Sequence, residues 1–251
     1  MTQIEIDGVS PTPDQLWATV SGYGHFTAMQ VRNGKVRGLA LHLRRLEAAN
    51  REAFGAGLDG ERVRALVRHA LGDTRDASVR VYVFEAPGEP ATMVTVKPPA
   101  EMATPQRLQS ARYQRPDAHI KHVTTDQGHY RRQAQRAGFD DAVLVGTDGA
   151  VSETTLANVG FFDGEAVLWP DAPMLHGITM QLLERELAVR GTPSRRSTVR
   201  LQEVASLHGA FLCSARGIAA VTAVDHTGLP IGSKGLSALA EAYASVPWDG
   251  I

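Results

Sequence analysis

The chain has 251 residues, 43% hydrophobic and 21% charged, with a formal net charge of −1. This is the composition of a soluble globular protein of one large or two ordinary domains, and its near-neutral charge excludes an electrostatic case for nucleic acid or an anionic membrane as partner. Cys213 is the only cysteine, so no internal disulfide forms and a reducing cytoplasm is expected. Met1–Asp7 lacks the basic and apolar regions of a signal peptide, and no apolar run approaches a membrane span.

Gln3–Ile6 reads as a short strand, whereas Gln15–Val20 has no clear pattern. Phe26–Val31 and Lys35–Ala40 flank Asn33-Gly34, a strong hairpin signal. Helices are predicted over Leu41–Phe54 and Glu61–Leu71, punctuated by Gly55, Gly57 and Gly60. Ser78–Phe84 alternates as a half-buried strand, with Ala91–Lys97 as its partner across the turn Pro87–Pro90, and Leu108–Tyr113 is another strand. After Pro116 and its polar neighbours, Gln127–Ala137 is a helix stopped by Gly138. Two hairpins follow, Ala142–Val145 with Val151–Glu153 across Asp148-Gly149, then Val159–Phe162 with Ala166–Trp169 across Asp163-Gly164. A helix spans Ile178–Val189, Phe211–Val224 is strand interrupted at Ser214–Gly217, and Leu236–Ala244 is the last helix. Strands and helices come in blocks, which indicates an α+β fold. The break near Pro116 suggests domains over 1–114 and 115–251.

Five stretches carry candidate chemistry. Asp117–Thr125 places Lys121 among apolar and imidazole neighbours. A desolvated amine loses part of its reason to stay protonated and can attack an aldehyde. The bland alternative is a surface lysine with a buried stem. Pro173–Thr179 leads into a helix whose first N–H groups could bind phosphate, with Gly177 allowing close approach; an ordinary helix start is the alternative. Leu43, Leu46 and Ala53 form the expected core stripe of the first long helix. Arg44 then points to solvent, and Arg45 sits at the margin, able to grip a phosphate or to snorkel. Glu153 follows a hairpin strand, and a carboxylate held there could keep a heterocyclic nitrogen protonated, or simply be a solvated strand end. Ser214 and Ala215 interrupt an apolar strand, as a ligand-facing break or a β-bulge would.

Together these residues resemble the class IV aminotransferase family, the pyridoxal-phosphate (PLP) enzymes of fold type IV. The resemblance runs through Gly24-His-Phe-Thr27, Asn33-Gly34, His42-Leu-Arg-Arg-Leu46, Ile120-Lys-His122, Gly138-Phe-Asp-Asp-Ala142, Val151-Ser-Glu153 with Asn158, Gly177-Ile-Thr179 and Ser214-Ala215. No single motif is specific; their order and spacing are. The resemblance implies that Lys121 is the Schiff-base lysine and Arg45 the phosphate-binding arginine. It implies that Glu153 pairs with the pyridine nitrogen, that Ile178 and Thr179 give N–H donors to the phosphate, that Ser214 also reaches the phosphate, and that Asn158 shapes the loop after the glutamate. Tyr23, His25, Phe26, Thr27, Ala215 and Arg216 are the candidates for the substrate pocket.

Two departures bear on substrate. Where some relatives carry a tyrosine bonded to the cofactor phenolate, this chain has Val123-Thr-Thr-Asp-Gln127, and Thr124 and Thr125 are candidates to substitute, with neither assigned. Phe26 replaces the tyrosine of D-amino-acid enzymes, and Glu85–Pro90 has no arginine with which to trap a carboxylate. Arg216 is then the in-chain candidate for that task, with a solvent-facing or ion-paired side chain as the alternative. The resemblance implies a two-domain α+β fold of type IV with PLP at the domain boundary, a homodimer, and no metal site. It implies amino transfer between an amino acid or amine and a keto acid. An aminodeoxychorismate-lyase-like activity and an inactive PLP-binding homologue are the alternatives.

Overall fold

Val79, Val81 and Val83 alternate with Arg80 and Tyr82, and a strand turns such a pattern into one buried face. The computed structural model describes residues 2–86, 89–123 and 126–251, which divide into two compact units. The first comprises Met1–Ala100, Ile120–Thr124 and Pro247–Ile251. It contains β1 (Gln3–Ile6), α1 (Pro13–Ser21), β2 (Gly24–Val31), β3 (Lys35–Arg37), α2 (Leu39–Phe54), α3 (Gly60–Leu71), β4 (Ala77–Phe84) and β5 (Ala91–Lys97). An antiparallel four-stranded sheet runs in the order β1-β5-β4-β2. The valines of β4 join Met29, Val31, Val94 and Val96 of the sheet and Leu39, Leu46, Val63 and Val67 of α2 and α3 in one core.

Periodicity does not resolve Gln15–Val20, which lies in α1. The missed signal is Thr12-Pro-Asp-Gln15: Thr12 caps the Gln15 N–H, Gln15 caps the Thr12 N–H, and Pro13 opens the helix. Asn33 and Gly34 both have positive φ, as the tight hairpin turn requires. The strand expected over Lys35–Ala40 ends at Arg37, because Gly38 adopts φ 72° and α2 starts at Leu39. β3 pairs instead with the C-terminal strand Trp248–Gly250. The expected stripe on α2 also differs. Leu46 is buried with Leu39, Leu43 is half-buried, Ala53 is not in the core, and the buried face includes the polar His42 and Asn50. Of the expected turn Pro87–Pro90, Pro87 and Gly88 lie outside the described residues.

The second unit comprises Glu101–His119 and Thr125–Val246. Its elements are β6 (Gln106–Arg112), α4 (Gln127–Arg136), β7 (Asp141–Val145), β8 (Val151–Thr154), β9 (Asn158–Phe162), β10 (Val167–Pro170), α5 (Ile178–Val189), β11 (Ser194–Ser197), β12 (Gly209–Ser214), β13 (Gly217–Val224), β14 (Thr227–Gly228) and α6 (Ser233–Ser245). The sheet order is β11-β10-β9-β12-β13-β6-β7-β8, and β8 pairs in turn with β9, so the sheet closes on itself. Leu108, Val143, Val159, Leu212 and Val221 pack within one cluster of the ring. Trp169, Phe211, Met180, Leu183, Leu187 and Leu239 make a second layer with α5 and α6. Residues 101–114 belong to this unit and not to the first half of the chain, because β6 pairs in parallel with both β7 and β13.

Gly160 on β9 faces the Phe211 ring so closely that an added Cβ would lie 2.3 Å from its Cζ. Phe211 is itself packed by Phe162 and Trp169, each with ring centroids 5.2 Å away. Gly160→Ala should therefore lower unfolding free energy by about 1–3 kcal/mol through overpacking, measured by urea denaturation. A variant as stable as the parent would show that the ring yields.

Candidate active site

In the first unit the site begins with the outer edge of β2. An edge strand offers unpaired main-chain groups, and residues 120–123 take them up. The Phe26 N–H donates to the Lys121 carbonyl and the Val123 N–H to the Gly24 carbonyl, each at 2.9 Å, with an antiparallel bridge between His25 and His122. Lys121 is half-buried, and its Nζ stands 4.9 Å from the centroid of the Phe26 ring. Phe26 stacks on Tyr82 at 5.2 Å. Arg80 donates to the Tyr82 hydroxyl at 3.2 Å, and its Cζ lies 5.7 Å from the same Phe26 ring. The Arg80 guanidinium and the Lys121 Nζ thus both lie within 6 Å of one aromatic ring, whose quadrupole attracts positive charge. Arg80 was not singled out in the sequence, although the β4 alternation sets it opposite the valine face.

On the other face of β2, His25 and Thr27 turn toward α2 and are buried. The Thr27 hydroxyl accepts from Arg45 Nη2 and lies 2.7 Å from His42 Nδ1. With Arg45 donating, the one hydroxyl proton goes to Nδ1, which makes His42 a neutral acceptor. Burial, then the charge of Arg45, holds the His42 pKa well below its ordinary value. Burial lowers Arg45 to about 10, which leaves it charged at neutral pH. Its Nε is buried without a hydrogen-bond partner among the described residues. His25 is lowered from 6.5 to about 4, chiefly by burial, with His122 and Arg45 adding to the effect and Asn50 opposing it. Among the described residues, His25 Nε2 and Asn50 Oδ1 are both buried without a well-formed hydrogen bond. Tyr23 meets His122 Nδ1 through its hydroxyl at 2.9 Å.

In the second unit Glu153 is buried where β8 pairs with β9, opposite Asn158, and Asn158 is opposite Cys213 of β12. Ser214 follows Cys213 along β12 and is its last residue. Arg115, also buried, donates from Nε to Glu153 Oε1 at 2.9 Å and from Nη2 to the Ala118 carbonyl. Glu153 is therefore not a solvated strand end. The Leu175 main chain is held at both of its polar groups: its N–H points to Glu153 Oε2 at 3.4 Å, and its carbonyl accepts from Asn158 Nδ2 at 2.7 Å. This anchors the approach to α5, whose cap residue is Gly177 and whose first turn has no side-chain cap. A Cβ on Gly177 would lie 2.1 Å from Asn158 Oδ1, so only glycine passes there. Ile178 and Thr179 are both buried in that first turn.

The expected break at Ser214 is a two-residue hairpin turn, Ala215-Arg216, between β12 and β13, with Gly217 at φ 112°. The Arg216 N–H donates to Ser214 Oγ at 3.2 Å, and the Arg216 side chain is exposed. Thr124 and Thr125 lie outside the described residues. Arg115 is the candidate site residue that sequence reasoning missed: it sits in a polar loop, and nothing local marks it as buried. No metal-ligating cluster and no helix long and apolar enough to cross a membrane occurs among the described residues.

The family model of class IV aminotransferases matches residues 24–224. The chain belongs to this family. Its members are PLP-dependent enzymes, aminotransferases together with aminodeoxychorismate lyases, and the cofactor is PLP. Among solved structures, a hypothetical aminotransferase from Mycobacterium tuberculosis superimposes with TM-score 0.84 at 22% identity, covering 98% of each chain. A branched-chain aminotransferase from Thermoproteus uzoniensis gives TM-score 0.82 at 19% identity, over 96% of this chain and 93% of its own. A protein assigned as a 4-amino-4-deoxychorismate lyase from Legionella pneumophila gives 0.81 at 18% identity, over 91% and 93%. These likenesses establish the fold, that of the two-domain type IV PLP enzymes. No curated protein matches the sequence.

The lowered His25 pKa has a consequence for stability. Because the folded-state value near 4 lies below the ordinary 6.5, the unfolded chain takes up the proton first as pH falls. The contribution is complete above pH 6.5 and is lost between about 6.5 and about 4, amounting to roughly 3 kcal/mol. His42 acts in the same direction. His25→Gln should flatten the fall in urea-denaturation free energy across that window. An unchanged slope would mean that His25 titrates normally in the fold.

Proposed function

We propose that the protein is an aminotransferase that moves an amino group between an amino acid or amine and a keto acid, with Lys121 as the attachment lysine. The observation that carries this reading is Lys121 itself, pinned by main-chain bonds to the edge of β2 over an aromatic ring, within the span of the family match. When bound, PLP supplies an electron-accepting ring and a carbonyl carbon able to carry nitrogen. The side chains suit it. Arg45 has a buried donor not otherwise used, and the α5 start, with Ile178 and Thr179, is a set of N–H groups without a side-chain cap. In the proposal these bind the phosphate together with Ser214. With the cofactor bound, Glu153 would hold a proton at the ring nitrogen, and the Lys121 amine would carry the proton that moves at the substrate carbon. A homodimer in the cytoplasm completes the proposal, and exposed Leu16, Trp17 and Val20 on α1 offer an apolar face for such association.

The Mycobacterium tuberculosis relative is known in a form with α-ketoglutarate and pyridoxamine phosphate. That supports a keto-acid acceptor in the present chain. Tyr23, His25, Phe26, Thr27, Ala215 and Arg216 remain the proposed pocket, joined now by Arg80. The Arg80 guanidinium and the Lys121 amine share the Phe26 ring, so Arg80 joins Arg216 as a candidate to hold a substrate carboxylate.

Lys121→Ala should abolish the borohydride-fixed pyridoxyl link to the chain, seen by peptide mass spectrometry. A reduced link at another lysine would overturn the assignment. In the parent protein, an amine donor should bleach the bound-cofactor absorbance and a keto acid should restore it. Keto-acid release with the absorbance recovering unaided would identify a lyase.

Arg80→Ala and Arg216→Ala should be compared with a carboxylate-bearing donor and with a donor amine lacking one. Losing a charge-assisted hydrogen bond worth about 1.5–3 kcal/mol should raise the Michaelis constant about 10- to 150-fold for the first donor only. Unchanged constants in both variants would remove both arginines from substrate binding.

A further inference from the structure

We infer that Arg115 is a positioning residue for the reaction, acting through Glu153: its guanidinium fixes the carboxylate that faces the cofactor ring and ties it to the loop that runs into Lys121. The inference rests on the proposed role of Glu153. Arg115 spreads two donors in different directions. Nε goes to Glu153 Oε1 at 2.9 Å, and Nη2 goes to the Ala118 carbonyl, three residues before Lys121 in the chain. Both side chains of the ion pair are almost entirely out of water, at 3% and 6% exposure. A carboxylate so placed needs a compensating charge, and the planar fork of arginine can meet it while keeping another donor for a carbonyl. The other oxygen, Oε2, faces the Leu175 N–H at 3.4 Å, at the approach to α5.

The geometry separates two tasks. Glu153 Oε1 is spent on Arg115, so the orientation of Oε2 follows from where the guanidinium stands. Removing Arg115 would leave a carboxylate of the same identity in a different direction and with an uncompensated charge. If Arg115 works only through Glu153, it has nothing to act on once that carboxylate is gone.

The test compares Glu153→Gln with the double variant Arg115→Met/Glu153→Gln, which removes both charges together and so avoids stranding one of them. Arg115→Lys is measured alongside. The readouts are kcat and KM for the donor, the absorbance spectrum of bound PLP against pH, PLP dissociation by fluorescence quenching, and the urea midpoint of the cofactor-free protein. The double variant should be no slower than Glu153→Gln and should have the same cofactor spectrum. Arg115→Lys, which keeps the charge and loses the fork, should lower kcat by about 10- to 100-fold with KM near the parent value. It should also shift the spectrum in the direction that Glu153→Gln does. A double variant slower than Glu153→Gln by the full factor lost in Arg115→Lys would overturn the inference. So would an Arg115→Lys variant whose urea midpoint falls while kcat and spectrum stay unchanged, since that is a purely structural role. Failure of the underlying reading shows itself separately, as Glu153→Gln leaving both rate and spectrum unaltered.

Discussion

Main-chain pairing along the outer edge of β2 is the constraint on which the first half of the site depends. Two main-chain hydrogen bonds hold residues 120–123 there, from the Phe26 N–H to the Lys121 carbonyl and from the Val123 N–H to the Gly24 carbonyl. Once the segment is seated, the alternation of β2 does the rest. Phe26 faces the lysine side, while His25 and Thr27 face α2. A lysine placed by peptide groups is placed whatever its neighbours' side chains are, which is why the stretch around Lys121 has so little side-chain signature of its own.

The polar residues of α2 answer the opposite face of the same strand. His42 and Asn50 occupy positions that a purely apolar helix would fill with leucine, and Thr27 links His42 to Arg45 through one hydroxyl. Burial keeps both histidines neutral near physiological pH, so Arg45 is the fixed positive charge of that cluster. A buried guanidinium with an unused Nε is costly unless something anionic meets it. The local chemistry of the fold and the need of a phosphate are thus complementary.

In the closed sheet of the second unit, the pairing that completes the ring is also the one that carries Glu153. Residues Glu153, Asn158 and Cys213 align across β8, β9 and β12, and Ser214 and the turn after it follow Cys213 at the end of β12. Glu153 and Asn158 each hold one polar group of the Leu175 main chain, and Gly177 threads past Asn158 with no room for a side chain. The start of α5 is therefore positioned by the same residues that would face the cofactor ring. A closed sheet is well suited to this, because its registers cannot slip independently.

Much of this was legible in sequence because it depends on local rules. Asn33-Gly34, Asp148-Gly149 and Asp163-Gly164 specify turns by backbone conformation. The valine alternation of β4 and the apolar period of α5 specify faces, and the ordered motifs from Gly24 to Ala215 specify the family. The parts that escaped are those that require distant segments to meet. Arg115 looks like any arginine in a polar loop until β8 brings Glu153 to it, 38 residues further along the chain. Arg80 looks like a solvent-facing strand residue until Tyr82 and Phe26 stack beneath it. His42 and Asn50 read as breaks in an apolar stripe until Thr27 and its neighbours are packed against α2. By itself the sequence determined most of the elements, their turns and the candidates for the reactive groups, since those follow from short-range sterics and from residue type. Only the tertiary structure decided which charges are buried together and which donors remain unused, because desolvation is a property of the whole packed neighbourhood and no residue carries it alone.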